Sequence, residues 1–143
     1  MTSLHRLITL TPLRGGHHLV LLLIRLLVGG FLIVSAAPYG FQTGKLAEFA
    51  AFMSKHGFVA AHLLAPLSVW AMLLASLALI AGLATGWAGL VVAFNFVVAI
   101  VMVDRFQGID GSFPSASLVA MGLLLAAAGP GGYALDAWIA RRA

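Results

Sequence analysis

The stretch Leu19–Ala37, LVLLLIRLLVGGFLIVSAA, decides the fold. It is an apolar run of about 19 residues, and a helix needs roughly 20 such residues to cross a bilayer core. One charge, Arg25, is set inside it. On insertion scales an arginine at the centre of a membrane helix costs roughly 2.5–3.5 kcal/mol, so an intramembrane charge ordinarily has a partner or a route to water. The residue that answers Arg25 is therefore the first thing to look for in the rest of the chain.

Composition supports a membrane setting. The chain has 143 residues, 62% of them hydrophobic and 8% charged, whereas a soluble domain is roughly a quarter charged. So few polar groups cannot cover a water-soluble globule, and the length suits one domain. There is no Cys, which excludes disulfides, thiolate catalysis, iron–sulfur ligation and covalent c-type haem and leaves the redox compartment open. The net charge of +4 is concentrated near the chain ends. In a membrane protein that pattern speaks of topology and lipid headgroups, not of nucleic acid.

Outward from Leu19–Ala37, residues 1–18 form a basic N-terminal segment with Arg6, Arg14, His17 and His18, read as a short surface helix or a tail. Basic residues, an apolar run and Ser35-Ala36-Ala37 also fit a secretory signal, but the long run, Pro38 after the cut and the later spans weigh against it. In Pro38–Ala60, Leu46, Phe49, Ala50 and Met53 recur at helical spacing opposite Lys45, Glu48 and Lys55. This predicts a short amphipathic helix in the interface plane, capped by Thr43 and stopped by Gly57. Further spans are expected at about 62–84 and 87–103, joined by a short turn at Gly82–Gly86. A small-residue face of Ala75, Ser76 and Gly82 suits close helix approach in lipid. The fourth span, about 115–129, is short for a crossing and so starts a turn earlier or ends in a thinned region. Gly129-Pro130-Gly131-Gly132 then breaks the helix. The tail restarts at the interface with Leu135, Trp138 and Ile139 toward lipid and Arg141 and Arg142 at the headgroups.

The expected fold is thus all-α: a polytopic four-helix bundle of two hairpins, residues 19–143, with one interfacial helix between spans 1 and 2 and an interfacial C-terminal tail. Four spans put both termini on one side, and their arginines outweigh Lys45, Lys55 and Arg105 in the opposite loops, which favours cytoplasmic termini.

On this topology Asp136 is the acid on the same side as Arg25, and a structural Arg25–Asp136 pair is expected. Snorkelling of Arg25 to the headgroups is the alternative, with an anion or quinone headgroup as a third reading. At the opposite face lie Glu48, His56, His62, Asp104, Arg105 and Asp110. His62 and Asp104 fall at similar depth and, with Glu48, form a candidate quinone or proton site, set against ordinary interfacial polarity. A haem or metal on His56 and His62 has little support from their spacing, and no metal site is assigned. Asn95, in mid-membrane, needs an interhelical hydrogen bond. There is no P-loop, dinucleotide fingerprint, zinc-protease motif or nucleophile elbow.

Several short motifs, in order, resemble the DoxX-like family of small four-helix membrane proteins. They are Arg25-Leu26-Leu27-Val28-Gly29, Gly40-Phe41-Gln42, Gly44-Lys45-Leu46, Gly82-Leu83-Ala84-Thr85, Ala99-Ile100, and Gly129-Pro130-Gly131-Gly132-Tyr133-Ala134-Leu135-Asp136, close to a G-P-G-x-x-S-L-D ending. The resemblance implies a prokaryotic plasma-membrane protein. Some relatives are membrane subunits of thiosulfate:quinone oxidoreductase, and others are linked to redox-stress systems. Two departures stand out: relatives often carry a Glu near the position of Met72, and an Arg where Gly86 stands. The expected function is a non-catalytic accessory or anchor of a membrane redox complex, with the lipid bilayer and other subunits as partners. No resident cofactor is expected, though a quinone is compatible. The alternative is a quinone-reactive oxidoreductase subunit. A transporter fits less well, because no span is broken to build a midplane site.

Overall fold

A computed structural model of the chain describes residues 15–142, so the basic segment before Gly15 lies outside the described residues. The elements are α1 (His17–Phe41), α2 (Lys45–Lys55), α3 (Ala61–Ala81), α4 (Thr85–Met102), a 3-10 turn (Asp104–Phe106), α5 (Gly108–Ala128) and α6 (Leu135–Ala140). No strand occurs among the described residues. Helices α1, α3, α4 and α5 are long and apolar enough to cross a membrane.

The helix ends follow from glycine and from local capping. Gly44, not Thr43, precedes α2, in a left-handed conformation (φ 85°), and no side chain caps that helix. At the end of α3, Gly82 takes φ 73°, and the amides of Gly82 and Leu83 both donate to Ala78 O, at 2.8 and 2.9 Å. This doubling back closes the helix within three residues, as a left-handed glycine permits. Helix α5 starts at Gly108, about two turns before the expected Ser115, and carries Pro114 within it. Its first turns are held to the end of α4 from the side chains: Ser115 Oγ donates to the Asp104 carboxylate, and Ser112 Oγ to Asp104 O at 3.0 Å.

Helix α1 packs most extensively on α3, and α4 on α5; the two hairpins meet through α3 and α4. Their shared core comprises Leu21, Val28 and Leu32 of α1, Ala75 and Leu79 of α3, Ala88 and Val92 of α4, and Leu118 and Leu125 of α5. Small residues set the helix spacing. A Cβ on Gly29 would lie 3.0 Å from Ser76 O, and one on Gly122 would lie 2.7 Å from Gly89 O. In lipid, where apolar burial gives little drive to associate, such backbone approach supplies the packing. The stripe Leu46, Phe49, Ala50 and Met53 of α2 faces protein: it packs beside Ala61, Ala65 and Val69 of α3 and Ala36 of α1. Lys45, Glu48 and Lys55 are exposed on the other side.

Candidate functional site

Arg25 is 1% exposed, so its head does not reach out along α1. Its donors meet backbone carbonyls. Nε donates to Leu79 O at 2.8 Å and Nη2 to Ile80 O at 3.2 Å. Nη1 donates to Pro130 O at 2.9 Å and Tyr133 O at 3.3 Å. Leu79 and Ile80 belong to the last turn of α3, where carbonyls lack the usual i+4 partner, Leu79 O taking only the 3.2 Å bond from the Gly82 amide, and the helix end carries partial negative charge. The planar guanidinium, with five fixed donors, can reach such a fan of acceptors.

Asp136 takes the complementary position. Its carboxylate accepts from the amides of Ala84 (2.9 Å) and Thr85 (3.1 Å), and its own N–H donates to Gly82 O at 3.0 Å. Ala84 and Thr85 open α4, so the acid sits at the positive end of that helix. The hydrogen bonds of Arg25 go to backbone carbonyls and those of the Asp136 carboxylate to backbone amides, on the two sides of one turn. Each residue neutralises one helix end on either side of the Gly82–Ala84 turn. Gly82 is required between them, since a Cβ there would fall 2.2 Å from Arg25 Nη2 and 2.6 Å from Ala134 Cβ. The loop after α5 closes the arrangement: the Gly132 amide donates to His18 Nδ1 at 2.8 Å. Asp136→Asn leaves one acceptor where two amides converge, and it is expected to lower stability by about 1–2 kcal/mol. Thermal unfolding of the detergent-solubilised variant, followed by circular dichroism, measures the loss.

At the opposite end lie the three residues grouped as a candidate quinone or proton site. Glu48 pairs with Lys45 at 3.1 Å on the exposed face of α2. His62 is exposed in the first turn of α3. Asp104 accepts from Ser115 and is half-buried. Asp104 also lines a cleft of about 550 Å³ that opens between α2, α3 and α4, whereas Glu48 and His62 do not. The cleft walls are mainly apolar: Phe49 and Phe52 from α2, Leu64 and Leu67 from α3, Val91 and Phe94 from α4. Its polar groups are few: the Ser68–Asn95 pair, Asp104 and Gln107. Asn95 finds the interhelical partner it needs in Ser68, with Asn95 Nδ2 donating to Ser68 Oγ at 3.0 Å and Ser68 Oγ to Asn95 Oδ1 at 3.2 Å. That exchange leaves the Asn95 amide one N–H and further acceptor capacity. An apolar cleft with a few convergent polar groups is the usual form of a small-molecule site. Among the described residues, no cluster of His, Asp and Glu has metal-binding geometry.

A bundle of four apolar helices, held at one end by a buried arginine and an aspartate on paired helix ends and cleft laterally at the other, defines a multi-pass membrane protein. The chain belongs to the DoxX family, whose sequence model matches residues 20–105. The match includes Arg25, the Gly82–Ala84 turn and the cleft residues through Asp104; the Asp136 tail lies beyond it. No curated protein and no solved structure matches the chain.

Proposed function

We propose that this chain is a non-catalytic accessory or anchoring subunit of a larger membrane redox or respiratory assembly, in a prokaryotic plasma membrane with both termini cytoplasmic. The observation that carries the reading is the use made of Arg25 and Asp136. Both are held by backbone groups of the protein itself, in the manner of structural caps. A charge that holds two helix ends together in lipid is a device of architecture, and it leaves chemistry to a partner. Arginines 141 and 142, at the end of the bundle where α1 begins, support the orientation. Solubilisation in mild detergent, crosslinking and mass spectrometry of the purified material test the role. Stoichiometric recovery of a redox subunit is expected, and a chain that runs alone from native membranes would overturn it.

The cleft favours a second reading, in which the chain is a quinone-reactive subunit. A volume of about 550 Å³ between two spans admits a ring with the first units of an isoprenoid chain entering from lipid. The Ser68–Asn95 pair would then meet a quinone carbonyl, with Asp104 and Gln107 toward the mouth. On this reading Asn95→Leu lowers labelling of α4 by a photoreactive quinone analogue about tenfold, the factor that one hydrogen bond of roughly 1.4 kcal/mol represents. Equal labelling of variant and wild type would remove the quinone from the cleft.

A further inference from the structure

The end of the bundle that carries α6 has a second cavity, of about 440 Å³, open to the surroundings and lined by Ala81, Tyr133, Leu135, Trp138 and Arg141. Its walls are apolar and aromatic, and Leu135, Trp138 and Ile139 are each close to half exposed. The walls are fixed from within: Arg25 holds Tyr133 O, and the Asp136 amide and carboxylate fasten the first turn of α6 to the α3–α4 turn. One cation lines the cavity and a second stacks on its Trp138 wall. Arg141 lines it and is exposed. The Arg142 guanidinium lies 3.8 Å from the centroid of the Trp138 ring. Stacking occupies one face of that group and leaves its in-plane N–H donors open. Among the described residues, the acid at this end is Asp136, and its carboxylate is engaged on Ala84 and Thr85.

We infer that this cavity binds the headgroup of an anionic phospholipid. The phosphodiester lies on Arg141 and Arg142, and the proximal chain carbons lie on Leu135 and Trp138. Guanidinium groups suit a phosphodiester, which accepts parallel N–H bonds from each, and both arginines are associated with Trp138, one as a fellow wall residue and one by stacking. The preference for a net negative headgroup follows from charge. A zwitterionic lipid would bring its own ammonium toward two arginines, and the local carboxylate is already bound. A basic residue at an anionic surface changes binding by roughly fivefold, so the pair gives on the order of 25-fold.

The test uses the full chain in nanodiscs made from equal amounts of phosphatidylcholine and phosphatidylglycerol. The protein is extracted by stepwise delipidation, and the retained lipid is measured by mass spectrometry. The wild type is expected to retain phosphatidylglycerol in large excess, and the excess is expected to fall as salt is raised. The double variant Arg141→Ala/Arg142→Ala is expected to return to the bulk ratio, with α-helical circular dichroism unchanged because Arg25 and Asp136 are intact. The variant Arg141→Lys/Arg142→Lys, which keeps the charge without the fork, is expected to fall between them. Equal retention of the two lipids by the wild type, or an excess insensitive to salt, would overturn the proposal without reference to any variant. So would an excess that survives the double alanine change, or one that inorganic phosphate alone displaces as well as phosphatidylglycerol does.

Discussion

Replacing Arg25 by leucine is expected to destabilise the detergent-solubilised protein by about 3–5 kcal/mol, the loss seen when one side of a buried charged contact is removed. The leucine suits lipid better than arginine does, so insertion of α1 itself improves. The loss comes from what arginine holds. Ile80 O, Pro130 O and Tyr133 O lose the guanidinium donors together, Leu79 O keeps only the longer bond from the Gly82 amide at 3.2 Å, and a buried acceptor left without a partner costs roughly 1–3 kcal/mol. The total stays below four such penalties, because water reaches the carbonyls of the 130–133 loop once the contact is gone. Arg25→Lys recovers only part of the loss, since an ammonium presents its donors from a single atom and cannot span four carbonyls. Arg105→Leu is the matched control: that guanidinium is exposed and lies over the Phe106 ring at 4.6 Å, a contact worth about 0.5–1 kcal/mol. Denaturant unfolding followed by tryptophan fluorescence separates the two. An Arg25→Leu variant as stable as Arg105→Leu would mean that the fan of hydrogen bonds does not hold the bundle.

The second large effect is expected at the crossing of α4 and α5. Gly122→Ile places a Cβ 2.7 Å from Gly89 O and 3.0 Å from Ala93 N. Both neighbours are backbone, so relief requires the helices to move apart. Overpacking of this kind costs about 1–3 kcal/mol and occasionally more, and here the separation also strips contacts from Val92 and Leu125 in the shared core. A loss at or above about 3 kcal/mol is expected, with a shift to expanded species on size exclusion. Gly30→Ala provides the contrast. Nothing lies within 4 Å of a Cβ at Gly30, and alanine is favoured over glycine in a helix by about 0.8–1.0 kcal/mol. If both substitutions behave alike in thermal unfolding, the close crossing does not set the helix spacing.

What was legible in the sequence depended on whether a signal was carried by residue type. The four spans announce themselves as apolar runs. Arg25 is conspicuous because lipid makes a charge costly, and Asp136 because acids are scarce. Their true partners are amides and carbonyls, which every residue carries, so composition could point to a pair but not to two helix ends. The start of α5 was legible in part: the shortness of 115–129 allowed one turn more, but Gly108, Gly111 and Pro114 hid the second, which Ser112 and Ser115 tie to Asp104. The stripe on α2 was legible as a helix face. What it faces was not, since an apolar stripe suits protein and lipid equally. The cleft draws on three helices, and the Ser68–Asn95 pair spans 27 positions in sequence. Asn95 signalled a need for a partner without naming one. Gly89 and Gly122 left least trace, because a close approach is made by the side chains they lack.

The bonds around Arg25 also impose an order on biogenesis. When α1 enters the bilayer from the ribosome, none of its four carbonyl partners has yet been made. Leu79 and Ile80 emerge two helices later, and Pro130 and Tyr133 only after all four spans. Through that interval the arginine of the first span is without the acceptors that satisfy it in the folded bundle. A transcript truncated before codon 130 yields a chain with all four spans and half of the ligands of its arginine. Residues 130–133 therefore complete the set of acceptors around the arginine, and a chain stopped before them leaves the Nη1 donors of Arg25 without their carbonyls.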